Sequence, residues 1–411
     1  MSDMRPKHAA MLQFPVEDDC LQVGGIPLTR LAQRIGRTPF YAYDRRLVSE
    51  RVAWLRHCLP EGIHIHYAMK ANPMPALVQH MAHLVDGIDV ASAGEMKVAL
   101  DTPLAAENIS FAGPGKRDDE LGCAIAAGIV INLESEQEME RVSALAERQH
   151  VRPKVAVRVN PGFELKSSGM KMGGGAKQFG IDAERVPAVL GRIGQLGLDF
   201  EGFHIFSGSQ NLKVASIQEA HEKTFALAIA LAQHAPGEIR LVNIGGGFGI
   251  PYFPGDEPLD LKAVGDNLRQ LLPEAKRRLP EAQVVVELGR YLVAEAGVYV
   301  CQVLERKKSR DKIFLITDGG LHHHLAASGN FGQVIRKNYP VIVGNKVNGA
   351  ARETVSVVGP LCTPLDLLAD QMEMGQAEAG DLIVVFQSGA YGLTASPTAF
   401  LSHPVPVEVL V

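Results

Sequence analysis

IHIHYAMKANPMPALVQHMAHLVDGIDV, residues 63–90, holds the fold in miniature. A β-rich run (63–69) is followed by a helix-like stretch (73–82) and a second β-rich run (84–90). A strand, a helix and a strand in close succession form parallel neighbours joined by a crossover. The same unit recurs outward from it. Six further runs follow: 108–112 (NISFA), 128–132 (GIVIN), 154–160 (KVAVRVN), 199–205 (DFEGFHI), 239–244 (IRLVNI) and 283–288 (QVVVEL). Helical patterns at 94–101, 117–126, 134–148, 183–196, 214–234 and 260–278 separate them. Eight β–α units predict a closed (β/α)8 barrel over residues 39–296. An open doubly wound sheet is the competing fold, and the regularity of the units favours closure.

Past residue 297 the rhythm changes. Runs at 298–304, 313–317, 352–358 and 381–386 have little helix between them, which predicts an antiparallel β-domain over 297–411. Residues 1–38, with a helix at 28–35, are expected to join that domain. The glycine-rich stretch 164–177 (ELKSSGMKMGGGAK) follows a strand end and predicts a mobile active-site loop. The fold class is α/β.

The 411 residues are 46% apolar and 21% charged, with a net charge of −5, the mix of a soluble globular protein. Nucleic-acid binding has no electrostatic support. No apolar run is long enough for a membrane helix, and the N-terminus lacks the apolar core of a signal peptide. Five scattered cysteines form no CxxC pair and suggest neither a disulfide framework nor a zinc site. A reduced, cytoplasmic protein is expected, with no nucleic-acid or membrane partner.

Barrel enzymes place chemistry at the C-terminal ends of their strands. Those ends carry Lys70, Asp89, Arg158 with Asn160, His204, the GGGFG run (245–249) and Glu287 with Arg290. Partial burial at such a position would lower the pKa of Lys70 and leave a neutral amine able to form a Schiff base. The plainer reading is a solvated loop lysine. GGGFG with Arg290 follows the last two strands, where barrels commonly bind phosphate; alone, GGGFG is equally a tight strand–helix turn. Glu287 lies in an apolar strand (VVVEL) and needs a partner. A pyridinium nitrogen is one candidate, and a salt bridge to Arg158 is the other.

Taken together, YAMKANP (67–73), DVASAGE (89–95), VRVNPGF (157–163), GGGFG and ELGRYLVAEAG (287–297) resemble the motif series of fold-type III pyridoxal-phosphate decarboxylases. That is the ornithine/diaminopimelate/arginine decarboxylase family, with an alanine-racemase-like barrel and a β-domain. The likeness runs over about residues 38–411. It implies pyridoxal 5′-phosphate bound to Lys70, with Glu287 on the pyridine nitrogen. It also implies phosphate contacts from Ser209, Gly246, Gly247, Arg290 and Tyr391. Asp89, Arg158, His204 and Phe206 are assigned to the same cofactor site. Cys362, in GPLCTPLD, matches the proton-donating cysteine that a neighbouring subunit inserts, so the resemblance implies a homodimer with shared sites. Asp366 and His324 are taken as substrate contacts.

Two departures bear on substrate. The HxHIGSQ pattern of diaminopimelate-type members reads FHIFSGSQ (203–210) here, which puts Phe206 in the ring-stacking slot and leaves His204 two residues earlier on the same strand face. His204 is then either a cofactor neighbour or a satisfied barrel histidine. Ala326 and Thr363 stand where those members place an arginine and a glutamate that read the distal amino acid group, although a gapped alignment would bring Arg336 there instead. The triplet His322–His324 does not suggest a metal, because three consecutive histidines on a strand cannot all face one ion. HIFSGSQN, GPLCTPLD and YGLTASPTAFLSHP resemble an exosortase-associated subgroup and decarboxylases acting on carrier-protein-linked amino acids. The expected activity is α-decarboxylation of an L-amino acid, free or carrier-tethered. Diaminopimelate decarboxylation is the alternative. A racemase, disfavoured by KANP, and a non-catalytic cofactor-binding protein are the remaining rivals.

Overall fold

Eight strands form the barrel in the computed structural model, which describes residues 6–164, 170–333, 335–349 and 351–411. They are Ile63–Ala68, Gly87–Val90, Ile109–Phe111, Val130–Leu133, Lys154–Asn160, Asp199–His204, Leu241–Gly246 and Gln283–Leu288. Every neighbouring pair is parallel. The last strand pairs with the first, and Val130–Leu133 pairs with Lys154–Asn160, so the sheet closes. The strands coincide with the eight runs read from sequence, because Val- and Ile-rich stretches buried on both faces have no alternation to confuse their register.

The crossover helices also fall where the 3.6-residue period placed them, and their ends have local causes. Ser92 accepts a hydrogen bond from Glu95 N at 3.2 Å, and Ser135 accepts one from Glu138 N at 3.1 Å. These caps begin the helices Ala93–Leu100 and Glu136–Gln149. Gly128 and Gly197 end two others in the left-handed conformation. The helix Arg45–Cys58 is absent from the sequence reading.

The chain divides into two compact units. One comprises Arg51–Ile250 and Leu259–Tyr291, which contain the barrel strands. The other gathers Met1–Glu50, Pro251–Pro258 and Leu292–Val411. Its sheet is built around the long strand Gly297–Ser309, which pairs antiparallel with Leu382–Val385, Lys312–Thr317 and Phe40–Tyr43. Two pairings correct the antiparallel expectation: Lys312–Thr317 with Arg352–Val358, and Phe40–Tyr43 with Val407–Leu410, are parallel. A boundary at residue 39 would give Phe40–Tyr43 to the barrel. Its ladder belongs to the β-domain, where Phe40 and Ala42 join Phe14, Leu21, Val298, Val300 and Val384 in one apolar core. Within 164–177, the stretch 165–169 lies outside the described residues, while Met170–Lys171 pairs with Gly208–Ser209.

Among the described residues no helix is long and apolar enough to cross a membrane.

His221, on the helix Val214–Ala232, is buried with neither ring nitrogen hydrogen-bonded among the described residues. Burial lowers its pKa to about 4. The unfolded chain therefore takes up a proton below pH 6.5 that the folded chain refuses, and stability drops as the pH falls from 6.5 toward 4. His221→Leu is expected to change little at pH 7.5 and to stabilise by about 2 kcal/mol at pH 5. Urea midpoints at the two pH values check this, and parallel curves for the two proteins would refute it.

Candidate active site

Each barrel strand buries at least one polar side chain toward its C-terminal end, among them His66, Asp89, Ser110, Asn132, Arg158, His204, Asn243 and Glu287. The ladders set Glu287 opposite His66, Asp89 opposite Ser110, and His204 opposite both Arg158 and Asn243. The sequence reading named only Asp89, Arg158, His204 and Glu287. Its missing signal was local: a lone polar residue inside an apolar run, as in IHIHYA or VINL, marks an inward position that needs a partner.

The partners form two groups. Asp89 Oδ1 meets His66 Nδ1 at 3.1 Å and accepts from Ser110 Oγ at 2.6 Å. Asn132 Nδ2 donates in turn to Ser110 Oγ at 3.1 Å. Burial would lower the pKa of His66, but Asp89 beside it outweighs that and raises it. On the other side His204 Nε2 lies 2.8 Å from Glu287 Oε2. Their strands are not neighbours, so this contact crosses the barrel interior. Burial alone would push the Glu287 carboxyl up, but the His204 hydrogen bond, with the cations Lys70 and Arg158, holds it well below the ordinary range. Glu287 is an ionised carboxylate in an apolar wall.

The salt bridge between Arg158 and Glu287 allowed by the sequence is not formed. Arg158 Nη1 donates instead to Glu134 Oε1 at 2.6 Å, and its guanidinium lies 4.9 Å from the Phe179 ring. Glu134 also accepts Gly113 N at 2.7 Å and Gly180 N at 2.8 Å, so it orders two loops as well as the arginine.

Lys70 follows the first strand on a short 3-10 turn, Met69–Ala71, in which both its neighbours are buried. The lysine itself is exposed, which corrects the expected partial burial. Its Nζ lies 5.6 Å from the centre of the Phe206 ring. Phe206 is buried and packs against Gly245.

Two loops cradle the far side. Gly247 has φ +73°, and a Cβ there would sit 2.2 Å from Gly208 O, so only glycine fits. Asn211 N donates to Gly247 O and Gly249 N to Asn211 O, both at 2.9 Å, which binds the loop carrying Gly208 and Ser209 to GGGFG. A Cβ on Gly246 would reach Glu287 O at 2.2 Å, tying that loop to the last strand. Arg290 opens the short helix Arg290–Val293 directly beyond it. An ionised carboxylate, an exposed lysine beside an aromatic ring, and glycine loops flanked by an arginine fit a cofactor with a cationic ring nitrogen, an aldehyde and a phosphate.

In the β-domain, Tyr391 has the left-handed φ of +52°, uncommon for a non-glycine residue. His324 is fully buried. Its Nε2 lies 2.9 Å from Ser388 Oγ, and its Nδ1 accepts Ala327 N at 3.2 Å. Both nitrogens are committed inside the domain, which overturns its reading as a substrate contact. Asp366 is also buried, and its carboxylate accepts two backbone amides. Cys362 is exposed. Arg336 Nη1 donates to Ser328 O, and to Leu367 O at 3.2 Å. Among the described residues no cluster of three or more His, Cys, Asp or Glu is arranged to hold a metal.

A closed parallel barrel with this mouth defines a class of lysine-dependent cofactor enzyme, and sequence comparison gives its family. Residues 45–294 match the family model described as pyridoxal-dependent decarboxylase, pyridoxal binding domain, and the chain belongs to that family. It is a pyridoxal-phosphate-dependent amino acid decarboxylase. It is 39% identical to the L-glutamyl-[BtrI acyl-carrier protein] decarboxylase of Niallia circulans, over 93% of this chain and 90% of that one. It is 32% identical to the diaminopimelate decarboxylase of Aquifex aeolicus, over 96% and 91% of the two chains. The crystal structure of diaminopimelate decarboxylase from M. jannaschi superposes with a TM-score of 0.86 at 26% identity, covering 97% of this chain and 92% of that one.

Proposed function

We propose that this decarboxylase removes the α-carboxylate of an L-glutamyl group, or a close analogue, carried on an acyl carrier protein. One observation carries the reading: Ala326 and Thr363 stand where a diaminopimelate reader would place an arginine and a glutamate. A free substrate with a charged distal group would lose solvation there without gaining a partner. A carrier-linked acyl group has no distal charge to satisfy. The relation to the carrier-protein-linked decarboxylase supports the same substrate class.

In this reading Lys70, through its Nζ, would hold the cofactor. Ser209, Gly246, Gly247, Arg290 and Tyr391 bind the phosphate. Phe206, Asp89 and Arg158 would complete the pocket for the cofactor's ring. When bound, pyridoxal phosphate supplies an electron sink for the pair left by CO2. Glu287, kept ionised by His204, holds the proton on the ring nitrogen. Cys362 Sγ delivers a proton to the α-carbon, and its source is a second copy of the chain, which makes the active unit a homodimer.

The experiment is a substrate comparison. CO2 release from L-glutamyl carrier protein should exceed that from free meso-diaminopimelate, L-glutamate and L-ornithine by about 10- to 1000-fold in kcat/KM. Efficient turnover of free diaminopimelate would overturn the reading, and Arg336 would then be the first residue to replace. α-Deuterium exchange without CO2 release would favour a racemase.

A further inference from the structure

Cys362 stands exposed on the segment Gly359–Leu367. That segment is closed on itself. Gly359 N donates to Asp366 O at 3.1 Å, Thr363 N to Leu361 O at 2.7 Å, and Asp366 N to Thr363 O at 3.3 Å. The Asp366 side chain lies beneath, only 3% exposed. Its Oδ2 accepts Leu361 N, next to the cysteine, at 2.8 Å. Its Oδ1 accepts Leu321 N, from the separate segment GGLHHH, at 2.6 Å. Glycines close both sides: a Cβ on Gly320 would lie 2.2 Å from Oδ1, and one on Gly359 would lie 2.3 Å from Oδ2.

This geometry leaves the carboxylate no opening toward an ammonium group and corrects its reading as a substrate contact. It gives the carboxylate another task. Each oxygen takes one amide, and the two amides belong to segments about 40 residues apart in sequence, so one carboxyl side chain ties the cysteine turn to the segment carrying Leu321.

We propose that Asp366 is a positioning residue, which directs Cys362 Sγ so that its proton reaches one face of the carbon that has lost CO2. This rests on the reading of Cys362 as the acid. Proton delivery depends steeply on placement, and a shift of about 1 Å can cost about 100-fold. Asp366→Asn is nearly isosteric, yet its amide presents N–H groups to one of the two backbone donors, so one of the two ties must break.

The test uses the full-length holoenzyme in D2O with whichever of L-glutamyl carrier protein or meso-diaminopimelate the wild type decarboxylates. Wild type, D366N, C362A and the double variant are compared for kcat, KM and the face of the product carbon that carries deuterium. D366N should lose about 10- to 100-fold in kcat with KM little changed, and its facial selectivity should fall to that of C362A. The double variant should be no worse than C362A, because a pin has nothing to position once the thiol is gone. Wild-type selectivity in D366N beside scrambled C362A would overturn the positioning role alone. Wild-type selectivity in C362A would overturn the acid assignment and the proposal with it. Should D366N fail to fold, G359A displaces the same carboxylate from its other side and is read in the same way.

Discussion

Lys70→Ala is expected to abolish turnover, with kcat reduced by about 10⁴-fold or more, because it removes the amine proposed to anchor the cofactor. Its exposure makes the substitution structurally mild: the buried contacts of the turn belong to Met69 and Ala71. Borohydride reduction of the wild-type holoenzyme should leave the cofactor adduct on Lys70 alone, as read by peptide mass spectrometry. An adduct on a different lysine would refute the assignment. The same variant tests subunit sharing. Mixed with C362A, whose own turnover is strongly reduced, under verified subunit exchange, it should recover about a quarter of wild-type activity, since half of randomly paired dimers carry one intact site of two. No recovery would mean that each subunit completes its own site.

Glu287→Gln is expected to reduce kcat by about 10²- to 10³-fold while the protein still binds its cofactor. Glutamine keeps the shape of the side chain and removes the charge that His204 and Lys70 stabilise. The substitution should also lower stability at pH 7, because it leaves His204 buried beside a weaker acceptor. The sign of the pH dependence follows from the direction of the shift. A carboxyl whose folded pKa lies below its ordinary 4.5 contributes stability above that value and loses it as the pH falls through the folded value. The stability gap between wild type and variant should therefore be widest near neutrality and close in acid. Denaturant titrations at pH 7 and below pH 4.5 measure it, and a gap that is constant with pH would show that the carboxylate is not held ionised by folding.

The fold was legible because its signal is short-range. Eight apolar runs and their helices each carry a period, a cap or a glycine stop, and parallel strands joined by crossovers leave few topologies open. The β-domain was less legible. Phe40–Tyr43 reads as the start of the barrel, and only its ladder with Gly297–Ser309, more than 250 residues away, assigns it elsewhere. No local pattern reports a pairing at that separation.

The candidate site divides in the same way. Lys70, Glu287, GGGFG and Arg290 stand at strand ends, so position in the barrel pattern was enough to single them out. Partners were a different matter. Sequence allowed Arg158 for Glu287, and the interior supplies His204, because a barrel wall brings non-adjacent strands face to face. His324 and Asp366 have the chemistry of substrate contacts, and only packing shows that the ring nitrogens of one and the carboxylate of the other are already spent on their own domain. Residue type and spacing determined which groups can do chemistry here. Tertiary burial decided which of them remain available for it, since an interior polar group must find its hydrogen bonds within the fold before it can offer any to a ligand.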